Sequence, residues 1–191
     1  VVVAVLAGLV NKEIVAAIDL AGGRAMGLSG VDGGFIEARI RDHELGYAGE
    51  AVKVNLKPLE VILEAGYIPV IAPVSLQRSV KSSEAMSLVN VNGDAAAGEI
   101  AAALAARRII FLTDVVGVCD GSGRLIPHLS LAEAEALAAS GVISGGMTPK
   151  IEACLRALSA VPVARIIDGR VPHVLLQEME GGGGTTIGRE R

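Results

Sequence analysis

Tryptophan is missing from this sequence, and only two tyrosines and two phenylalanines occur in its 191 residues. Hydrophobic residues still make up 51%, so the core must be packed from alanine, valine, leucine and isoleucine. The length suits a single α/β domain over residues 1–191. Cysteine is as scarce: Cys119 and Cys154 form neither a disulfide framework nor a metal-ligand pattern and read as reduced cytoplasmic thiols. There is no basic excess, because 17 Lys and Arg face 21 Asp and Glu for a net charge of −4. That excludes the basic stripe of a nucleic-acid binder, and the scattered cations leave no polybasic membrane patch. Long hydrophobic runs are lacking too, despite a mean hydropathy of +0.54. The longest, "VVVAVLAGLV", fills residues 1–10, about half of the roughly 20 residues of a membrane span. No basic segment precedes it and no small-residue cleavage site follows, which argues against a signal peptide. No Met opens the chain, which starts inside this apolar run and reads as lacking an amino-terminal portion. His43, His128 and His173 lie far apart without ligand spacing. There is no Gly-x-Ser-x-Gly elbow, no P-loop, no Gly-x-Gly-x-x-Gly between strand and helix, and no internal repeat.

What is present is an alternation of strand-like and helix-like segments, the pattern of a largely parallel sheet covered by helices. "NKEIVAAIDLAGG" reads as a helix closed by Gly22 and Gly23. "RAMGLSG" reads as a short strand, and "FIEARI" pairs with "GEAVKVN" as a hairpin. "PLEVILEAG" is a helix opened by Pro58. "YIPVIAPVSL" reads as one buried strand whose two prolines favour an end or an edge. "DAAAGEIAAALAARR" is a helix, "IIFLTDV" a strand, and "VGVCDGSGRLIPHLS" a loop with hairpin material at Asp120 and Gly121. "SLAEAEALAAS", "TPKIEACLRALSA" and "VPHVLLQEM" are helices; "VARIIDG" is a strand, and a glycine-rich approach leads to a last one. The first ten residues fit helix or strand.

In open α/β sheets, ligands bind beyond the carboxyl ends of the strands. Four loops qualify. "GLSGVDGG", residues 27–34, is either a phosphate- or carboxylate-holding backbone loop or a plain glycine turn. In "NVNGD", residues 90–94, Asp94 suits a helix cap, while Asn90 and Asn92 project to one side of an extended segment and either grip a carboxylate or amide of a small substrate or form an Asx-rich turn. "TDVVGV", residues 113–118, ends an apolar strand with polar Thr113 and Asp114, either a strand tip that meets a nucleotide or metal or a turn with a capping Asp. In "GVISGGMTPK", residues 141–150, Thr148 suits the N-cap and Pro149 the first helical position, leaving Lys150 in the first turn. A cation there opposes the helix dipole, whereas a bound polyphosphate would reverse that sign; a solvated lysine is the alternative.

Together with "AGLVNKEIV", "LEAGYIPVIAPV" and "IIDGRVPH", these stretches resemble the amino acid kinase family, and within it the acetylglutamate kinases of arginine biosynthesis, in the family's order over nearly the whole chain. The resemblance implies a three-layer αβα sandwich with a mainly parallel sheet. It implies transfer of the γ-phosphoryl group of ATP, brought with Mg²⁺ and without a tightly bound cofactor, to the side-chain carboxylate of N-acetyl-L-glutamate in the cytoplasm. By matched position, it implies that Lys150 stabilises the transferring phosphoryl group and Asp94 orients the catalytic lysines. Asn90, with Asn92 and Ser29, binds the acid. Thr113, Asp114, Val115, Gly117, Gly141, Val142 and Ile143 line the ATP site with Lys150, and no residue is a metal ligand. A homo-oligomeric parent is implied, as is arginine inhibition through His173 and Glu178, with no nucleic-acid or membrane partner. In the family another lysine, a glycine pair and an arginine precede the position matching Val1. Val31 stands where a lysine is common, and the segment 75–88 is longer than the usual hairpin. This chain alone is therefore expected to bind nucleotide weakly and turn over little. A non-catalytic nucleotide- or amino-acid-sensing module and a kinase of aspartate, glutamate or carbamate remain open, with a Rossmann oxidoreductase behind them.

Overall fold

A computed structural model describes residues 1–40, 44, 46–77, 87–141, 143, 145–179 and 182–188. His43 and most of the segment 75–88 lie outside them. The chain divides into two compact units, Val1–Ala96 and Ala97–Arg191.

In the first unit, the apolar opening run is helical, a π-helical stretch Ala4–Val10 leading into α1 (Asn11–Leu20). β1 (Ala25–Ser29) pairs in parallel with β4 (Ile68–Ala72). β2 (Ile36–Ile40) and β3 (Ala48–Val54) form the expected antiparallel hairpin. With β5 (Val74–Gln77) and β6 (Ser87–Val91) they close a small barrel in the order β2-β3-β6-β5. α2 (Lys57–Glu64) carries Pro58 in its first turn. The single buried strand expected over "YIPVIAPVSL" is instead two strands in different sheets, and β4 is mostly half-exposed. Pro73 explains the break. It has no N–H to donate, and its carbonyl accepts from Val91 N at 2.9 Å while the chain changes partners.

α3 (Gly93–Leu104) runs from the first unit into the second. The second unit is a four-stranded sheet in the order β7-β9-β10-β8: β7 (Ile109–Thr113), β9 (Val163–Asp168), β10 (Thr185–Gly188) and the two-residue β8 (His128–Leu129), a strand inside the stretch expected to be a loop. β7 and β9 are parallel and β10 is antiparallel to β9. Ala164 and Ile166 alternate onto one face of β9 and join Phe111, Ile187 and helical Ile151, Cys154 and Ala157 in the core. Arg165 points to the opposite face, against α6 (Val174–Met179). α4 (Leu131–Ser140) opens with a capping box in which Ser130 Oγ accepts from Glu133 N and Glu133 answers Ser130 N. α5 (Met147–Ala157) packs on β7 and β9.

α5 crosses α3 at Gly98, where a Cβ would stand 2.7 Å from the Ala153 carbonyl oxygen. Beside the crossing, Arg156 Nε and Nη2 meet Glu99 Oε1 and Oε2 at 2.6 and 2.8 Å. Gly98→Ala separates two opposing effects. Helix propensity alone favours alanine by about 1 kcal/mol, whereas the backbone contact disfavours it by about 1–3 kcal/mol. A net loss of stability is expected in urea titrations, and a gain would show that the helices do not touch there.

Candidate active site

In the first unit, Asp32 Oδ2 accepts from both Ser29 N and Ser29 Oγ, at 2.7 and 3.0 Å. This ties the end of β1 into a turn that Gly33 and Gly34 complete at φ +62° and +63°, a region L side chains rarely adopt. Behind the turn, buried Asn11 donates from Nδ2 to the Val70 carbonyl at 2.8 Å and to the Leu28 carbonyl at 3.4 Å. Gly27 makes room for it, since a Cβ there would lie 2.0 Å from Asn11 Oδ1. Asn11 therefore ties β1 to the middle of β4, and Asp32 holds the end of β1. Neither role is legible in the sequence, because the signal for Asn11 is a contact across 59 positions and not a spacing.

Asn90, next to last in β6, is exposed and borders a cavity of about 420 Å³ also lined by Tyr47, Leu88 and Val1–Val3. Its side chain has no hydrogen-bond partner among the described residues. The cap of α3 differs from the expectation. Asn92, not Asp94, is the N-cap: its Oδ1 accepts from Ala95 N at 3.0 Å and its carbonyl from Ala96 N at 2.9 Å. Asp94 falls in the first turn, where a carboxylate also suits the dipole. An asparagine oxygen caps as well as an aspartate, so local chemistry could not rank them.

In the second unit, topology gathers two of the four predicted loops, 113–118 and 141–150, at the end where β9 also finishes. β7 and β9 run in parallel with Thr113 opposite Asp168 at their tips. α5 leads directly into β9 and packs on it, so it runs back along the sheet and its N-terminus, with Lys150, lies at the tip end. α4 leaves β8, which runs opposite to β9, so Gly141 and Ile143 after α4 reach the same end. Val142 lies outside the described residues. Thr113 Oγ1 donates to Asp114 Oδ1 at 3.3 Å, and the Thr113 carbonyl accepts from Gly169 N at 2.8 Å. Val115 is exposed beside them. Gly117 has a packing reason: at φ +144° its Cβ would press on Thr185 Oγ1 at 2.8 Å, the hydroxyl that accepts from Val118 N. Lys150 is half-buried in the first turn of α5. Thr148 does not cap that helix. α5 begins at Met147 after Gly146, with no side-chain cap, and Pro149 takes the third helical position. There its missing N–H is still one of the four that find no partner in the helix.

The tip also holds a pair that sequence reasoning missed within "IIDGR". Arg170 Nε and Nη2 donate to Asp168 Oδ1 and Oδ2 at 2.8 and 2.7 Å. Arg170's hydrogen bonds hold the Asp168 carboxyl at about 2, below its ordinary value. A depressed folded-state pKa stabilises above the unfolded value near 3.9 and loses its contribution as pH falls toward 2. Carboxyl NMR titration should find an Asp168 midpoint near 2, and Arg170→Ala should return it toward about 4; an unmoved midpoint would reject this origin.

His173 and Glu178 are not alike. His173 is exposed in a left-handed conformation at φ 58°, whereas Glu178 is buried and ion-paired with Arg165. Among the described residues, no group of three or more His, Cys, Asp or Glu could hold a metal ion, and no helix is long and apolar enough to cross a membrane.

Comparison with known proteins agrees with this architecture. The profile of the amino acid kinase family matches residues 1–168. An acetylglutamate kinase of Dehalococcoides mccartyi is 50% identical over 188 residues, 98% of this chain and 69% of that protein. One from Acidiphilium cryptum is 47% identical over 96% of this chain and 64% of its own length. The solved structure of smu.665 from Streptococcus mutans superposes with a TM-score of 0.82 at 26% identity, over 98% of this chain and 70% of that one. The chain belongs to the amino acid kinase family, on its acetylglutamate kinase branch.

Proposed function

We propose that the complete gene product transfers the γ-phosphoryl group of MgATP to the side-chain carboxylate of N-acetyl-L-glutamate, as a cytoplasmic, homo-oligomeric enzyme of arginine biosynthesis. The observation that carries this reading is the convergence, at one end of the second unit, of the strand tip Thr113–Asp114 with the first turn of α5. That turn has the partial positive charge of a helix start, with the Lys150 ammonium added to it. Such a pole suits an anion.

The acceptor carboxylate is already ionised at neutral pH, so the transfer needs no general base. Its oxygen attacks the γ-phosphorus, the bond to the β,γ-bridging oxygen breaks, and the products are an acyl phosphate and ADP. Catalysis then rests on positioning and on neutralising the charge of the transferring group. In this reading Lys150 neutralises that charge and Asp94 orients the cationic groups. Thr113, Asp114, Val115, Gly117, Gly141, Val142 and Ile143 line the nucleotide site, and magnesium arrives with the nucleotide as part of the substrate. Asn90 binds the acetylated acid. Asn92 contributes its Nδ2 amide, since its oxygen caps α3. Ser29 contributes through its turn, since its hydroxyl is held by Asp32.

Isothermal titration of the 191-residue chain with MgADP, then with N-acetylglutamate, tests the reading. Weak saturable nucleotide binding with little turnover is expected. A folded chain that binds no nucleotide would reject it.

A further inference from the structure

Glu178 is a buried charge and Arg165 a partly buried one, and the proposed chemistry gives neither a task. Arg165 leaves β9 with its side chain 13% exposed, and the Glu178 side chain on α6 is 4% exposed. Every edge of the guanidinium is used. Nε and Nη2 meet Glu178 Oε2 at 2.9 and 2.7 Å. Nη2 also donates to the Gly182 and Gly183 carbonyls at 2.6 and 2.8 Å, and Nη1 donates to Thr186 Oγ1. Among the described residues, the second carboxylate oxygen has only Arg108 Nη1, at 3.9 Å. A buried carboxylate, a hydroxyl and two carbonyls around one plane make a site shaped for a guanidinium, not for a compact ammonium.

We propose that Arg165 is the resident occupant of a guanidinium cage formed by Glu178, Thr186 and the carbonyls of Gly182 and Gly183, fastening the carboxy-terminal glycine loop to the sheet. While Arg165 is in place, Glu178 is closed to any free guanidinium; removing that side chain opens the cage to one. This does not depend on the kinase reading, because the test reads binding and loop order and not phosphoryl transfer.

Arg165→Ala in the full chain should lower the unfolding temperature by several degrees, the scale of a buried charge left unpaired. Methylguanidinium at about 10 mM should restore part of that loss saturably, where equal sodium chloride does not. Wild type should not respond, nor should the Arg165→Ala/Glu178→Gln double variant. Arg165→Lys keeps the charge but not the fork, so it provides a folded reference if the alanine variant is unstable. Its amides at 182–186 should exchange about tenfold faster than wild type. Three results would overturn the proposal: a folded Arg165→Ala chain indifferent to methylguanidinium, a lysine variant with wild-type loop exchange, or wild-type chain that binds L-arginine through Glu178.

Discussion

Lys150→Ala is expected to lower phosphoryl transfer by the complete gene product by about three powers of ten, the cost of removing a group that neutralises charge in the transition state. Stability should stay within about 1 kcal/mol of the parent, and there is a reason for that sign. A cation in the first turn of α5 works against the helix dipole, and alanine is the best helix former. Steady-state kinetics beside urea unfolding measures both quantities on the same preparation. A variant with unchanged kcat would remove Lys150 from the mechanism.

The next residue along the helix gives the opposite result. Ile151 is fully buried in the core of the second unit, and Ile151→Ala leaves a cavity there. A loss of about 2–5 kcal/mol is expected, read as a lower urea midpoint at unchanged slope. The fraction that remains folded should keep its nucleotide affinity, because Ile151 faces the sheet core. Adjacent residues thus divide the labour of one helical turn, one for reaction rate and one for the fold. A loss below about 1 kcal/mol would mean that the core collapses around the deletion.

The elements that the sequence foretold are those whose signals are local. Ser130 and Glu133 stand three apart and form the capping box. The β2–β3 hairpin follows from two alternating runs around a polar turn. Expectations failed where one residue type has two equivalent uses. Asn92 took the cap that suited Asp94, Thr148 lies inside a helix that it could equally have capped, and Pro73 ended a strand where an edge seemed to suffice. β8 has only two residues and acquires its ladder from β10, about sixty positions away, so no window along the chain contains its signal. The candidate site divides in the same manner. Its motifs at 90–94, 113–118 and 141–150 were legible as polar residues at apolar element ends. Long-range ties such as Asn11 reaching Val70 and Arg165 reaching Glu178 arise only when distant segments pack.

The account centres on a carboxylate acceptor and a nucleotide donor meeting in one protein. Hydroxylamine trapping of acyl phosphate tests this most directly, with the complete gene product, MgATP and, in parallel, N-acetyl-L-glutamate, L-glutamate, L-aspartate and carbamate. The expected result is ATP-dependent hydroxamate from N-acetyl-L-glutamate alone, abolished by Lys150→Ala. Acyl phosphate from another acid, or none from any acid by protein that still binds MgADP, would contradict it.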